Sequence, residues 1–182
     1  MNTCSAHRPA VRRLCPGPGQ VQAARPRAGF AEVDLSAAAE SVADAYRPDA
    51  EEAGHVLIAG VAPGITLHGD QELLTQATAN LIENALRHTP IGTRITLHLS
   101  ENRRTGIELS VEDNGPGVAA EDLPRLVHRF YRGECSRTTP GNGLGLSLVA
   151  AVADLHGASL LLEASSPGLR AMLHIPAAGA GQ

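Results

Sequence analysis

Three short runs of residues carry groups able to do chemistry. In Asn80-Leu-Ile-Glu-Asn84-Ala-Leu-Arg-His88 the polar side chains Asn80, Glu83, Asn84, Arg87 and His88 recur at i, i+3, i+4, i+7 and i+8. That spacing puts them on one stripe of a helix. Leu74, Leu81 and Ala85 fall on other faces, available for a core. Two amides, a carboxylate and two nitrogen bases are too polar for a core seam. An amide oxygen can ligate a hard cation without adding charge. The second run is Glu112-Asp113-Asn-Gly115-Pro-Gly117, at the end of the apolar stretch Ile107–Val111. A buried Asp113 carboxylate would accept a hydrogen bond from an amino group and reject a carbonyl. Gly115 and Gly117 allow positive φ and close approach of backbone to a ligand. The third run, Gly141-Asn-Gly143-Leu144-Gly145-Leu146, heads another apolar segment. Bare glycine N–H groups at a helix N-terminus favour phosphate.

Each run alone has a plainer reading. The stripe would serve as a solvated helix face with a Glu83–Arg87 pair, worth a few tenths of a kcal/mol. Asp113 would serve as a turn carboxylate capping Gly115. The third run would serve as a flexible linker. It is not a P-loop, because no Gly-Lys-Ser/Thr follows. Nor is it a dinucleotide turn, because the strand and the downstream acidic residue are misplaced. The order and spacing of all three together favour a site.

The elements that must position them are legible in outline. Glu32–Leu35 reads as a short strand, and Leu35–Ala53 as an Ala-rich helix with Pro48 kinking or dividing it. Ala45 and Tyr46 fall on its apolar stripe. His55–Val61 and Ile65–His68 read as strands around the turn Ala62-Pro-Gly64. Asp70 is a good N-cap for a helix running to His88. Thr93–Ser100 and Gly106–Glu112 form a hairpin through Asn102-Arg-Arg104. Leu144–His156 is a helix stopped by Gly157. Ser159–Glu163 and Leu169–Ile175 make a last hairpin around Ser166-Pro-Gly168. The sum is an α+β, two-layer sandwich: a mixed, largely antiparallel sheet of about five or six strands with three helices on one face.

Taken in this order, the motifs resemble the Bergerat-fold ATPase superfamily, and most closely the ATP-binding catalytic domain of bacterial sensor histidine kinases. The likeness runs from about Glu32 to Pro176. Leu123-Pro-Arg-Leu-Val-His-Arg-Phe-Tyr-Arg-Gly133 resembles the segment before the ATP lid of that branch. The resemblance implies Mg²⁺-ATP as the ligand. It implies Asn84 on Mg²⁺, with Asn80 beside it as a second candidate, and Arg87 facing phosphate. It puts His88 near adenine and ribose, and Asp113 on the adenine amino group. It also implies a lid over Ala119–Pro140, anchored by Phe130 and Tyr131, with Arg132 and Arg137 as phosphate contacts. Gly141, Gly143, Leu144 and Gly145 would line the phosphates. Hydrolytic cousins carry a glutamate at the position of Asn80. An amide cannot act as a general base, which favours phosphoryl transfer over hydrolysis, with Glu83 left as a candidate base.

Composition agrees with an aliphatic globular domain. The chain has 182 residues, no Trp, two Tyr, two Phe and a formal charge of −4. All fifteen basic residues are Arg. Neither the charge nor the sparse aromatics favour nucleic acid. Cys4, Cys15 and Cys135 are too scattered for a disulfide framework or zinc site. They read as free thiols of a cytoplasmic protein. No apolar run approaches the ~20 residues that span a bilayer. Residues 1–29 read as disordered or a truncated linker, 30–178 as the catalytic domain and 179–182 as a tail. Pro26 argues against a continuous helix in the first segment.

A histidine kinase also needs a phosphoacceptor histidine on a dimerisation helix. His7-Arg-Pro9 lacks the acidic neighbour such a motif carries. The expected partner is therefore a histidine-containing dimerisation domain supplied in trans or missing, with a response regulator engaged indirectly. A nucleotide-binding module without turnover and an anti-sigma-factor-type serine kinase are the alternatives, and the Phe130-Tyr131-Arg132 segment leans away from the latter.

Overall fold

The computed structural model describes residues 12–13, 29–119, 121–123, 126 and 145–177. In chain order the elements are β1 (Arg12–Arg13), β2 (Ala31–Asp34), α1 (Leu35–Glu52), β3 (Val56–Val61), β4 (Thr66–Gly69), α2 (Gln71–His88), β5 (Arg94–Asn102), β6 (Gly106–Asp113), α3 (Gly145–Leu155), β7 (Ser159–Ala164) and β8 (Leu169–Ile175). The main sheet has the order β1-β7-β8-β6-β5-β3, and β2 pairs with β4 in a separate two-stranded ribbon. Every pair is antiparallel except β3–β5. This is the expected α+β architecture. Apart from Arg12–Arg13 and Gly29, the segment expected to lack order lies outside the described residues.

Alternation along the strands makes one face of the sheet apolar. Ile95, Leu97 and Leu99 of β5 are buried, as are Leu109 and Val111 of β6 and Ala171 and Leu173 of β8. α1 covers β3 and part of β5, α2 covers β5 and β6, and α3 covers β7 and β8. Leu74, Leu81, Ile82 and Ala85 of α2 point into the same aliphatic core. The polar stripe of α2 is thereby turned away from the sheet.

Local chemistry fixes where the helices start. Asp34 caps α1 by accepting from the Ala37 N–H at 2.9 Å. Asp70 caps α2 by accepting from the Leu73 N–H at 3.1 Å. Such caps stabilise by about 1 kcal/mol each. The Asp70 N–H in turn donates to His156 Nε2 at 3.0 Å, so the end of α3 holds the head of α2.

Two local expectations differ from the structure. α1 runs unbroken through Pro48 as one 18-residue helix. Pro48 lies near the C-terminal end, where only the bond to the Asp44 carbonyl is forgone. The strands flanking Ala62-Pro-Gly64 do not pair with each other. β3 joins β5 in parallel, while β4 crosses to β2. The buried Ser36 hydroxyl holds that crossing, donating to the Ala62 carbonyl at 2.7 Å and accepting from the Ile65 N–H at 2.9 Å.

Candidate functional site

The α2 stripe divides by neighbour. Asn84 and His88 line a cleft together with Thr89, Asp113, Gly117 and Leu169. Asn80 faces the head of α3 instead. Its Nδ2 donates to the Gln76 carbonyl at 2.7 Å, which fixes the amide's orientation. Its Oδ1 then lies so close to Gly145 that a Cβ there would meet it at 3.3 Å. The amide oxygen of α2 and the first residue of α3 are thus neighbours. Glu83 turns towards α1. Its Oε1 accepts from the Tyr46 hydroxyl at 2.6 Å, and its Oε2 pairs with Arg87 at 3.2 Å.

Asp113 sits at the end of β6, on the helix-covered side of the sheet. The residue is only 7% exposed. Its Oδ1 accepts from the Gly115 N–H at 2.9 Å, and the Leu169 N–H donates to the same carboxylate. Burial raises its pKa above the ordinary aspartate value, and the two backbone donors oppose that rise. The group is a buried acceptor with few fixed partners, which is what recognition of an amino group requires.

Glycines shape the wall around it. Gly117 has φ 75° and would bring a Cβ within 2.8 Å of the Gly168 carbonyl oxygen. Gly168 has φ 111°, and a Cβ there would fall on the Asp113 carbonyl oxygen. A side chain at either position would push the β7–β8 turn off the carboxylate. The sequence singled out Gly115 and Gly117 but read Gly168 only as a turn residue. The signal for its second role is tertiary: it is 55 positions from the carboxylate it touches.

Leu123 is buried in the core, and Leu126 packs against it. They lie within the segment expected to form a lid. Phe130, Tyr131, Arg132, Arg137, Gly141, Gly143 and Leu144 lie outside the described residues. A larger hollow of about 510 Å³ runs along Gln71, Glu72, Thr75 and Gln76. It shares no residue with the cleft and gathers no buried carboxylate, so the smaller cleft is the better site.

Among the described residues no cluster of three His, Cys, Asp or Glu could hold a metal ion. The available donor at the cleft is the Asn84 amide. That fits Mg²⁺, which is bound by few protein groups when it arrives with phosphates and keeps several waters. Among the described residues no helix is long and apolar enough to cross a membrane.

Comparison with known proteins agrees with this fold. Residues 69–179 match the family described as histidine kinase-, DNA gyrase B-, and HSP90-like ATPase. The signal transduction histidine-protein kinase/phosphatase MprB of Mycobacterium ulcerans is 39% identical over 105 residues, 58% of this chain and 20% of that protein. The chain thus spans about a fifth of the length of such curated relatives. The solved structure of the mycobacterial sensor histidine kinase MprB matches with a TM-score of 0.72 at 27% identity, covering 80% of this chain and 97% of that one. The ATP-binding domain of PrrB from Mycobacterium tuberculosis matches with a TM-score of 0.64 at 28% identity, covering 82% and 98% respectively.

Proposed function

This chain belongs to the histidine kinase-, DNA gyrase B-, and HSP90-like ATPase family, and on that premise we propose that it binds Mg²⁺-ATP and donates the γ-phosphate to a histidine of a dimerisation domain in two-component signalling. The observation that carries the reading is the convergence of Asn84 and His88 with the buried Asp113 and with Gly117 on one cleft. Asp113 accepts the adenine amino proton. Thr89, Leu169 and the glycine backbones wall the base. Asn84, with Asn80 beside it, faces the polyphosphate, and these amides would hold a Mg²⁺ that neutralises phosphate charge. Arg87 adds a fixed positive charge. The head of α3 at Gly145 adds backbone N–H groups.

Transfer rather than hydrolysis follows from what these side chains lack. The Asn80 amide has no basicity with which to activate water. Both Glu83 oxygens already hold donors, Tyr46 and Arg87. The acceptor would bring its own nucleophile, and a neutral imidazole needs no protein base to activate it. The response regulator would receive the phosphoryl group from that histidine.

The test pairs two measurements. Calorimetric titration should show ATP binding that strengthens with Mg²⁺ and weakens in Asn84→Ala. Incubation with labelled ATP and a separately made dimerisation domain should then label the acceptor histidine. Tight ATP binding with no transfer at any acceptor concentration would leave a binding module only. No ATP binding would sink the whole reading.

A further inference from the structure

Tyr46 is the one α1 side chain with a described hydrogen bond to the α2 stripe. We propose that Tyr46 is a positioning residue for phosphate recognition, acting through Glu83 to fix Arg87 above the turn of α2 that carries Asn80 and Asn84. The inference rests on the nucleotide reading above.

The argument starts with side-chain direction. Helical side chains lean towards the N-terminus, so the Arg87 guanidinium lies back over the turn holding Glu83 and Asn84. Its only described anchor there is Glu83 Oε2 at 3.2 Å. An exposed i,i+4 pair holds an arginine weakly when both side chains are free to move. Here the glutamate is not free. The Tyr46 hydroxyl donates to its other oxygen at 2.6 Å. Burial, and then the bond to Glu83, push the phenol pKa up to about 12, so the hydroxyl stays a donor at any physiological pH. A carboxylate anchored from a second helix offers Arg87 a stationary partner. The guanidinium has five donors and spends few of them on Glu83, leaving others for phosphoryl oxygens. Less side-chain freedom is then lost when the phosphates arrive.

Tyr46→Phe removes the hydroxyl and keeps the ring, so packing against the core is retained. Titrations with ATP and with adenosine separate the phosphate end from the base end. The expected result is an ATP affinity weakened about twofold to fivefold, no more than Arg87→Ala weakens it, an unchanged adenosine affinity, and no further loss when Tyr46→Phe is added to Arg87→Ala. An equal loss for ATP and adenosine would reduce Tyr46 to a packing role and overturn the proposal. So would an unchanged ATP affinity, or a loss that persists in full in the Arg87→Ala background. Failure of the unsubstituted chain to bind either ligand is a different outcome: it overturns the nucleotide reading itself, and this assignment with it.

Discussion

In the cleft Asp113 is 7% exposed and held by the backbone N–H groups of Gly115, in the turn after β6, and of Leu169, at the start of β8. On α2, outside the cleft's lining, the Arg87 side chain is 53% exposed and held by a single carboxylate that is itself 37% exposed. On the proposed nucleotide reading, Asp113 at the base end and Arg87 at the phosphate end divide the labour of recognition. A buried carboxylate with fixed backbone donors cannot adapt, so it discriminates between ligands. An exposed guanidinium, even one anchored through Glu83, contributes charge, which salt screens. The base end should therefore respond to single atoms, and the phosphate end to charge and ionic strength.

The sharpest break of that contrast is at Gly168. Its φ of 111° and the overlap of a Cβ with the Asp113 carbonyl oxygen leave no room for a side chain. Gly168→Ala should cost about 3–5 kcal/mol in urea unfolding and abolish nucleotide binding with it. Gly157→Ala is the control. Its φ is 67° and nothing lies within 4 Å of the new Cβ, so only the backbone term remains. About 1 kcal/mol is expected there, with ATP affinity intact. Similar losses for the two variants would show that the close approach at Asp113 is not tight.

Next in size is Asp113→Asn. It keeps an oxygen for the backbone donors but turns an amide N–H₂ towards the adenine amino group, donor against donor. ATP should bind more weakly by about 1.5–3 kcal/mol in calorimetry, with little change in unfolding midpoint. Unchanged affinity would remove the adenine assignment and leave the phosphate end as the only recognition element.

Asp113 also sets a pH dependence. Its pKa in the free protein is raised from 3.8 by burial. The charged form is the acceptor, so ATP affinity should be level above that raised pKa and fall as pH drops through it, by at most about tenfold per unit. The fall should begin at higher pH than an ordinary aspartate would give. Stability runs the other way. A raised folded pKa favours the protonated form, so folding loses stability as pH rises from 3.8 through the folded value, and the loss stays constant above it. Affinity that stays flat down to the ordinary carboxylate range would show that the carboxylate does not touch the ligand.

The smallest effect belongs to the phosphate end. Arg87→Ala should weaken ATP by about 1 kcal/mol at low salt, less at high salt, and leave adenosine alone. Its effect on folding should stay within about 0.5 kcal/mol, because the Glu83 pair is exposed. A loss independent of ionic strength would mean that Arg87 acts through something other than its exposed charge.

Much of this was legible without coordinates. The 3.6-residue period of α2 separated Leu74, Leu81 and Ala85 from the polar stripe, because one helix has one periodicity and nothing distant can change it. Asp70 was legible as a cap because a cap is chosen by its neighbours three residues on. Asp113 and its glycines stood out because a strand end, a carboxylate and a turn are contiguous. What the sequence left open was which neighbour each stripe residue would meet. Asn84 and His88 meet the cleft, Asn80 meets Gly145 of α3, and Glu83 meets Tyr46 of α1. The contact of Asn80 with Gly145 spans 65 positions, and the cleft brings Asn84 beside Leu169, 85 positions away. Tyr46 read as part of an apolar stripe because its ring does face inward, while only the tertiary fold supplies the carboxylate its hydroxyl finds. The same holds for β3, whose parallel pairing with β5 needs a whole helix between the two strands before it can form. Local patterns thus fixed the elements and the chemistry each could offer. Packing decided which of those groups share a site, because burial and close approach are properties of elements brought together.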